Sequence, residues 1–139
     1  MTTTTTWPGD WLRGVLEMAV LRVLVDEPQS YGYAMSLALD AAGLGTIKGG
    51  TLYPLLARLE ESGQVRSRWE VGDGGPGRKY YEITPAGRAQ LAERTAAWCT
   101  FADATASFLR NGRTGIPAAP LTTRAEGASA PALTSPDPA

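Results

Sequence analysis

The chain has 139 residues, of which 43% are hydrophobic and 19% charged, with a formal net charge of −1. This length predicts one domain with tails, and no apolar run reaches the ~18 residues that a membrane span needs. With no histidine and one cysteine, the chain excludes a zinc site and a Ser-His or Cys-His nucleophile pair. We expect no cofactor. The N-terminus lacks the features of a signal peptide and a lone cysteine makes no internal disulfide, so we expect a cytoplasmic protein.

Three helices are predicted in the first half of the chain. Apolar residues at helical spacing begin at Trp11, and Pro28 ends this first helix. Ser30 is a candidate N-cap for a second helix, which Gly43 closes. The stretch GGTLYPLLARLEESG, residues 49–63, predicts a third helix with a stripe of leucines and a C-terminal glycine.

A hairpin and a fourth helix follow. The segment QVRSRWEV alternates in polarity, and RKYYEIT is rich in aromatic and β-branched residues. With the glycine-rich GDGGPG between them, they predict a β-hairpin with a mobile tip. Thr84 followed by Pro85 is a strong helix start, and this helix runs to about Arg110 with apolar residues seven apart. After Asn111 the Ala, Pro, Thr, Gly and Ser content is typical of a disordered tail.

This order of elements predicts a mainly α fold with a small β-hairpin, namely a winged helix-turn-helix plus a long C-terminal dimerisation helix. We expect a disordered N-terminal arm over residues 1–9 and a winged helix-turn-helix DNA-binding domain over 10–84. The C-terminal helix occupies 85–111, and the disordered tail occupies 112–139.

The motifs GTLYPLLARLEESG, GDGGPGRKYYEIT and PAGRAQL resemble the PadR family of transcriptional regulators, over about residues 11–110. The single C-terminal helix is similar to the short-chain subgroup, which includes multidrug-binding repressors. The resemblance implies a homodimeric winged-helix DNA-binding protein, usually a repressor released by a small ligand. The sequence departs from the family at Tyr31 and Ala34, where histidine and glutamate are common. It also has Lys48-Gly49 where Ser-Pro is usual, and so loses a pre-organised start of helix three.

The start of helix three is the candidate contact with DNA. Small residues there let the backbone approach a phosphate, and free N–H groups at a helix N-terminus bind anions. Tyr53 lies off the leucine stripe, where it can reach a phosphate or a base edge. The alternative is that the glycines form only a turn and a cap and that Tyr53 packs on a neighbour.

The predicted hairpin is the wing of this fold, and it adds two basic residues, Arg78 and Lys79, directly after its tip. Their side chains can contact a phosphate backbone, or they can simply form a solvated face. Arg66 and Arg68 are weaker candidates because wing carboxylates can pair with them. The predicted DNA-binding residues are Lys48, Gly49, Gly50, Thr51, Tyr53, Arg58, Arg78 and Lys79.

A second apolar face of helix one, carried by Trp11, Val15 and Met18, needs a second partner. Helix four offers one, so we expect dimerisation through helices one and four around a two-fold axis. The predicted interface residues are Trp11, Val15, Met18, Leu91, Trp98, Phe101, Phe108 and Leu109.

The resemblance to multidrug-binding members implies that Trp98 lies near the dimer axis, where two copies form a slot for a planar ligand. Small residues beside large flat ones leave room for such a guest, and Glu17 at the rim can attract a cation. The alternative is that Trp98 only packs in a core or interface. We expect Cys99 to be a buried, inert thiol rather than a redox sensor. The predicted ligand-binding residues are Trp11, Gly14, Val15, Met18, Thr95, Trp98, Cys99 and Ala102.

These features together predict a PadR-like repressor, not an enzyme. It would act as a homodimer on operator DNA, with a planar, hydrophobic or cationic effector at the dimer interface and no membrane partner. The alternative is a winged-helix dimer that binds a protein or ligand without specific DNA binding. The pI of about 5.4 and the missing Ser-Pro favour this alternative slightly.

Overall fold

The computed structural model describes residues 6–71 and 75–113. The predicted fold class is confirmed, since the described residues are mostly helical around a small antiparallel sheet and end in one long helix. No described helix is long and apolar enough to cross a membrane. The elements in chain order are α1 (Gly9–Arg13), α2 (Leu16–Asp26), β1 (Ser30–Tyr31), α3 (Gly32–Ala41), α4 (Gly49–Glu61), β2 (Val65–Val71), β3 (Gly77–Ile83) and α5 (Pro85–Asn111).

The first predicted helix is divided in two. α1 ends before Gly14, because glycine is a poor helix former, and α2 begins after Val15, whose φ of −123° lies outside the helical region. Trp11 and Met18 therefore lie on different helices. The prediction of a second apolar face on one continuous helix is wrong.

Part of the predicted disordered arm is ordered. The indole N–H of Trp7 donates a 2.7 Å hydrogen bond to the carbonyl of Gly43, at the end of α3. The Trp7 ring also lies 6.2 Å from the ring of Trp11. α1 already begins at Gly9, so this correction covers the last residues of the arm, while residues 1–5 lie outside the described residues.

Ser30, predicted to cap the second helix, lies instead in the short strand β1, opposite Tyr81 of β3. The sheet has the order β1-β3-β2, and its first strand is not visible in local sequence patterns because its partner lies far along the chain. α3 begins at Gly32 without a side-chain cap. The buried Ser30 hydroxyl has no hydrogen-bond partner among the described residues. Gly43 does end this helix as predicted, with a φ of +94°.

The core is built from the apolar faces of α2, α3 and α4 with the inner face of the sheet. Burying one leucine contributes about 1.5–3 kcal/mol, so the stripe on α4 decides which face of that helix stays at the surface. Gly63, with a φ of +78°, ends α4 as predicted. The four leucines of the predicted stripe are all buried, namely Leu52, Leu55, Leu56 and Leu59.

The predicted hairpin is confirmed in its strands. β2 and β3 pair antiparallel from Val65 opposite Ile83 to Val71 opposite Gly77. The tip, residues 72–74, lies outside the described residues, so its predicted mobility stays a prediction.

α5 starts as the sequence predicts. The Thr84 hydroxyl accepts a 3.0 Å hydrogen bond from the N–H of Gly87 and donates one of 2.6 Å to the carbonyl of Gly63. The chain divides within α5 into two compact units, the first ending at Ala96. Leu91 belongs to the first unit and is only 8% exposed, within its core. Its predicted place in the dimer interface is therefore wrong, because its side chain is already buried by its own chain.

Gly87 packs closely against the end of β3 and the segment after α4, and this close contact gives a prediction about stability. A methyl group on Gly87 would lie 2.8 Å from Cγ1 of Ile83 and would collide with the carbonyl oxygen of Gln64. That carbonyl also accepts the N–H of Thr84 at 3.0 Å, which restricts its movement. We expect Gly87→Ala to lower the free energy of unfolding by about 1–3 kcal/mol, as overpacking does. Urea denaturation measures this, and an equal loss in Gly50→Ala, where a methyl meets nothing within 4 Å, would contradict it.

Candidate nucleic-acid interface

The first turn of α4 is exposed, and part of its backbone is free to bind. The carbonyl of the N-cap residue Lys48 accepts the N–H groups of Thr51 and Leu52 at 2.9 Å each. No acceptor within the described ranges takes the N–H of Gly49 or Gly50. Of the three amides predicted to meet a phosphate, two are therefore available and that of Thr51 is used within the helix.

Gly50 is a glycine that the fold does not require. A Cβ there would meet no atom of residues 6–71 or 75–113 within 4 Å, and alanine is a better helix former. Gly49 differs, because a Cβ there would lie 3.3 Å from the ring of Tyr53. The space above Gly50 is thus open to a partner from outside the chain.

Tyr53 packs on α3, as the alternative expected, and part of its side chain is also exposed, so its contact with DNA stays a prediction. The residue is 52% exposed. Its ring lies directly over Gly32, where a methyl group would come within 2.6 Å of the Tyr53 Cζ and 2.8 Å of Cε1. The absence of a side chain at Gly32 therefore leaves the space that the ring occupies. No local sequence pattern marks Gly32 as part of the site, because α3 and α4 come together only in the tertiary structure.

The two wing cations lie over aromatic rings of the sheet. The guanidinium of Arg78 lies 4.4 Å from the ring centroid of Tyr31, and the ammonium of Lys79 lies 5.7 Å from that of Tyr81. Lys79 is also 3.7 Å from the carboxylate of Glu60. A guanidinium stacked on a ring keeps its in-plane N–H groups available for a phosphate. Arg78 is accordingly the freer of the two cations.

Burial raises the pKa of Tyr81, and the nearby Glu60 carboxylate and Tyr53 add smaller contributions in the same direction. The Tyr81 hydroxyl therefore stays protonated at neutral pH. It remains neutral beside the Lys79 ammonium.

Arg66 and Arg68 are paired with wing carboxylates, as the sequence predicts. The guanidinium of Arg66 lies 2.6 Å from the carboxylate of Glu82, and that of Arg68 lies 2.6 Å from that of Glu70. Their charges are thus largely balanced within the wing.

Arg58 lies in the last turn of α4, away from the exposed first turn. Its guanidinium is 3.5 Å from the carboxylate of Glu17, which is also 3.3 Å from the guanidinium of Arg94. Arg58 therefore has a partner within the chain. Glu17, predicted to attract a cationic effector, already has two cationic neighbours, and this corrects that expectation.

A groove of about 650 Å³ runs between the start of α3, α4 and the wing. Trp69, on β2, is 68% exposed. Tyr33 is similarly exposed, and the sequence gives no signal for either position. The aromatic side chains that line the groove are Tyr31, Tyr33, Tyr53, Trp69 and Tyr81.

The residues predicted for ligand binding and dimerisation fall in both compact units. In the first, Trp11, Gly14 and Thr95 are exposed, while Val15 and Met18 are half-buried. In the second, Cys99 is exposed, so the prediction of a buried thiol is wrong. Ala102 is half-buried. The large apolar side chains of this second unit that are exposed are Trp98, Phe101, Phe108 and Leu109.

Comparison with known proteins identifies the family. The model of the transcriptional regulator PadR-like family matches residues 20–93, more than half of the chain. The chain belongs to the PadR-like family. The matched region contains α3, α4, the wing and the start of α5, so the PadR-like part includes the interface described above.

Individual relatives and solved structures agree with this assignment. Transcriptional regulator Rv3488 of Mycobacterium tuberculosis is 51% identical over 84 residues, which cover 60% of this chain and 76% of the relative. A PadR family transcriptional regulator from Eggerthella lenta has 39% identity and a TM-score of 0.65, covering 72% of this chain and 86% of that one. A PadR-like transcriptional regulator from Bacillus cereus has 33% identity and a TM-score of 0.64, covering 73% and 97%. PadR-like proteins are DNA-binding regulators of transcription rather than enzymes, as expected.

Proposed function

We propose that this PadR-like chain is a homodimeric repressor that places α4 in the major groove of operator DNA and the wing along the flanking backbone. The observation that carries the proposal is the first turn of α4. It combines two free amides, an uncovered Gly50 and the side chains of Lys48 and Tyr53 on one exposed surface. We also propose a cytoplasmic location, because a protein that acts on operator DNA must share its compartment.

The contacts divide by what they can recognise. The free amides, Lys48 and Arg78 meet phosphates, which position the protein but carry no sequence information. Tyr53 is placed to reach a base edge. In a dimer the two copies of α4 enter half-sites about 34 Å apart, one turn of DNA.

A salt titration tests the proposal through Lys48, whose ammonium makes no ion pair with any residue in the described parts of the chain. Each phosphate neutralised contributes about −0.9 to the slope of log affinity against log salt. Lys48→Ala removes one contact per protomer, so we expect the slope to become shallower by about 1.8 for a dimer. Fluorescence anisotropy with the DNA upstream of the gene, at several salt concentrations, measures it.

Arg22→Ala is the matched control, because Arg22 lies on α2 and pairs with Asp26 at 3.1 Å. It should leave the slope unchanged. Absence of any DNA complex at low salt with the unaltered protein would overturn the repressor proposal.

Dimerisation and ligand modulation are supported by the exposed apolar residues of the second unit. Patches of this kind mark interaction surfaces in soluble proteins. We propose that Phe101, Phe108 and Leu109 contribute to the dimer interface and that Trp98 stacks on a planar effector. Trp11 and Met18 remain candidates for both the interface and the effector site. Binding of the effector would alter the spacing of the two α4 helices and so weaken operator binding.

Trp98→Ala tests the effector site. We expect the substitution to remove the quenching of intrinsic fluorescence by planar aromatic dyes, because stacking on the indole ring is lost. Trp69→Ala, in the wing, should retain the quenching. If the two variants were quenched equally, Trp98 would not be the site.

The alternative function remains a winged-helix dimer that binds a protein or ligand without specific DNA binding. The balanced charges of Arg66 and Arg68 favour it, because they reduce the positive charge of the wing. Equal affinity for the upstream DNA and for an unrelated duplex would select this alternative.

A further inference from the structure

One carboxylate near the end of α4 contacts both strands of the wing. The Oε2 atom of Glu60 accepts a 2.6 Å hydrogen bond from the hydroxyl of Ser67 on β2. Its other oxygen, Oε1, lies 3.7 Å from the ammonium of Lys79 on β3. The hydrogen bond from Ser67 orients the carboxylate, and this orientation leaves the second oxygen beside Lys79.

Lys79 belongs to the surface that is proposed to meet DNA. It lines the groove of about 650 Å³ together with Tyr53 and Trp69. Its side chain is only 37% exposed, and its ammonium lies 5.7 Å from the ring centroid of Tyr81. Lys79 therefore faces the right surface, but Glu60 already offsets its charge before any phosphate arrives.

Arg78, the neighbouring cation of the wing, is in a different position. It stacks on Tyr31 and pairs with no carboxylate among residues 6–71 and 75–113. A phosphate that approaches Arg78 displaces no other anion. A phosphate that approaches Lys79 has to compete with Glu60 and is also repelled by the charge of Glu60.

We propose that Glu60 is a positioning residue that holds Lys79 back from the DNA backbone. This inference rests on the proposed function. Because Lys79 is held back, the phosphate contact from β3 is left to Arg78. Phosphate contacts carry no sequence information, so this arrangement makes affinity depend more on α4, the helix placed to read bases.

Glu60→Gln tests the proposal, because the carboxamide oxygen can still accept the hydrogen bond from Ser67 while the negative charge is removed. We expect DNA affinity to rise about threefold per protomer, and about tenfold for a dimer, as the loss of a partly exposed ion partner allows. The slope of log affinity against log salt should become steeper by about 0.9 per protomer. The gain should be equal on operator and on an unrelated duplex. Anisotropy measures both quantities, and a loss of affinity or an unchanged slope would overturn the proposal.

Two further variants show whether the effect passes through Lys79. Glu61→Gln changes the net charge by the same amount, and Glu61 is exposed and pairs with no cation in the described ranges, so this control should leave the slope unchanged. Adding Lys79→Ala to Glu60→Gln should remove the whole gain, and Lys79→Ala alone should cost less affinity than it does in that background. A gain that persists without Lys79 would refute the proposal.

A measurement without DNA separates this inference from the proposed function. The chain has two lysines, Lys48 and Lys79, so selective ¹³C labelling of lysine gives two Cε signals in an NMR spectrum. Glu60→Gln should shift the signal of Lys79 and leave that of Lys48 in place. Inorganic pyrophosphate should then perturb the Lys79 signal at a concentration about threefold lower than in the unaltered protein.

The two experiments can fail independently. If the unaltered protein binds no DNA, the repressor proposal fails, and the pyrophosphate titration still decides whether Glu60 holds Lys79 back from phosphates. Equal pyrophosphate concentrations for Glu60→Gln and for the unaltered protein would show that it does not.

Discussion

Gly32→Ala is expected to reduce operator affinity by about two orders of magnitude, or ~2.7 kcal/mol, in a protein that still folds. The methyl group would lie 2.6 Å from Cζ of Tyr53, so the ring must leave its place over α3. Tyr53 sits on the proposed recognition surface, and displacing it would remove its own contact and obstruct its neighbours. Anisotropy with operator DNA measures the loss.

A double-mutant cycle separates this effect from a general loss of stability. If Gly32 acts by positioning the ring, Gly32→Ala should add little to the loss already caused by Tyr53→Ala. Some destabilisation, about 1–3 kcal/mol, is expected in Gly32→Ala alone and should be relieved in the double variant. Gly14→Ala is the control, since a methyl there has only one contact, at 3.8 Å. Additive losses in the cycle would show that Gly32 does not act through Tyr53.

Gly50→Ala is the second variant with a large expected effect. It should lower operator affinity while leaving the stability of the fold unchanged. None of the residues that the structure describes lies within 4 Å of the added methyl group, and alanine favours helix, so stability should be unchanged or slightly higher. Operator affinity should fall at least tenfold, or ~1.4 kcal/mol, because the methyl group occupies the space proposed for a phosphate.

The larger Gly50→Leu should lower affinity further without loss of stability. Gly9→Ala, at another glycine with nothing within 4 Å, should affect neither property. Full DNA affinity in Gly50→Leu would show that no partner approaches the first turn of α4. Thermal denaturation and anisotropy on the same preparations make the comparison.

The sequence alone determined the features that depend on neighbours along the chain. The leucine stripe of α4 repeats at helical spacing, and Gly63 ends that helix in the left-handed conformation. Thr84 caps α5, and Pro85 is the first helical residue of α5. The hairpin strands are adjacent and alternate in polarity. The motifs of the third helix and wing also indicated the PadR-like family, which the family comparison shows.

The candidate site was only partly predictable. The free amides of the first turn follow from helix geometry, which every helix start shares. Tyr53 covers Gly32, and Arg58 pairs with Glu17. Each contact joins two different helices, so no local sequence pattern predicts it. A glycine or an arginine has the same local pattern whether or not a distant side chain lies against it.

Where long-range packing competes with local preference, only the tertiary structure decided the environment of a residue. Ser30 has the chemistry of a helix cap, yet pairing with β3 draws it into a strand. Leu91 fits a heptad seam, but the core of its own unit buries it first. In each case the local signal was compatible with two environments of similar local energy, and burial and hydrogen bonding to residues distant in sequence selected one of them.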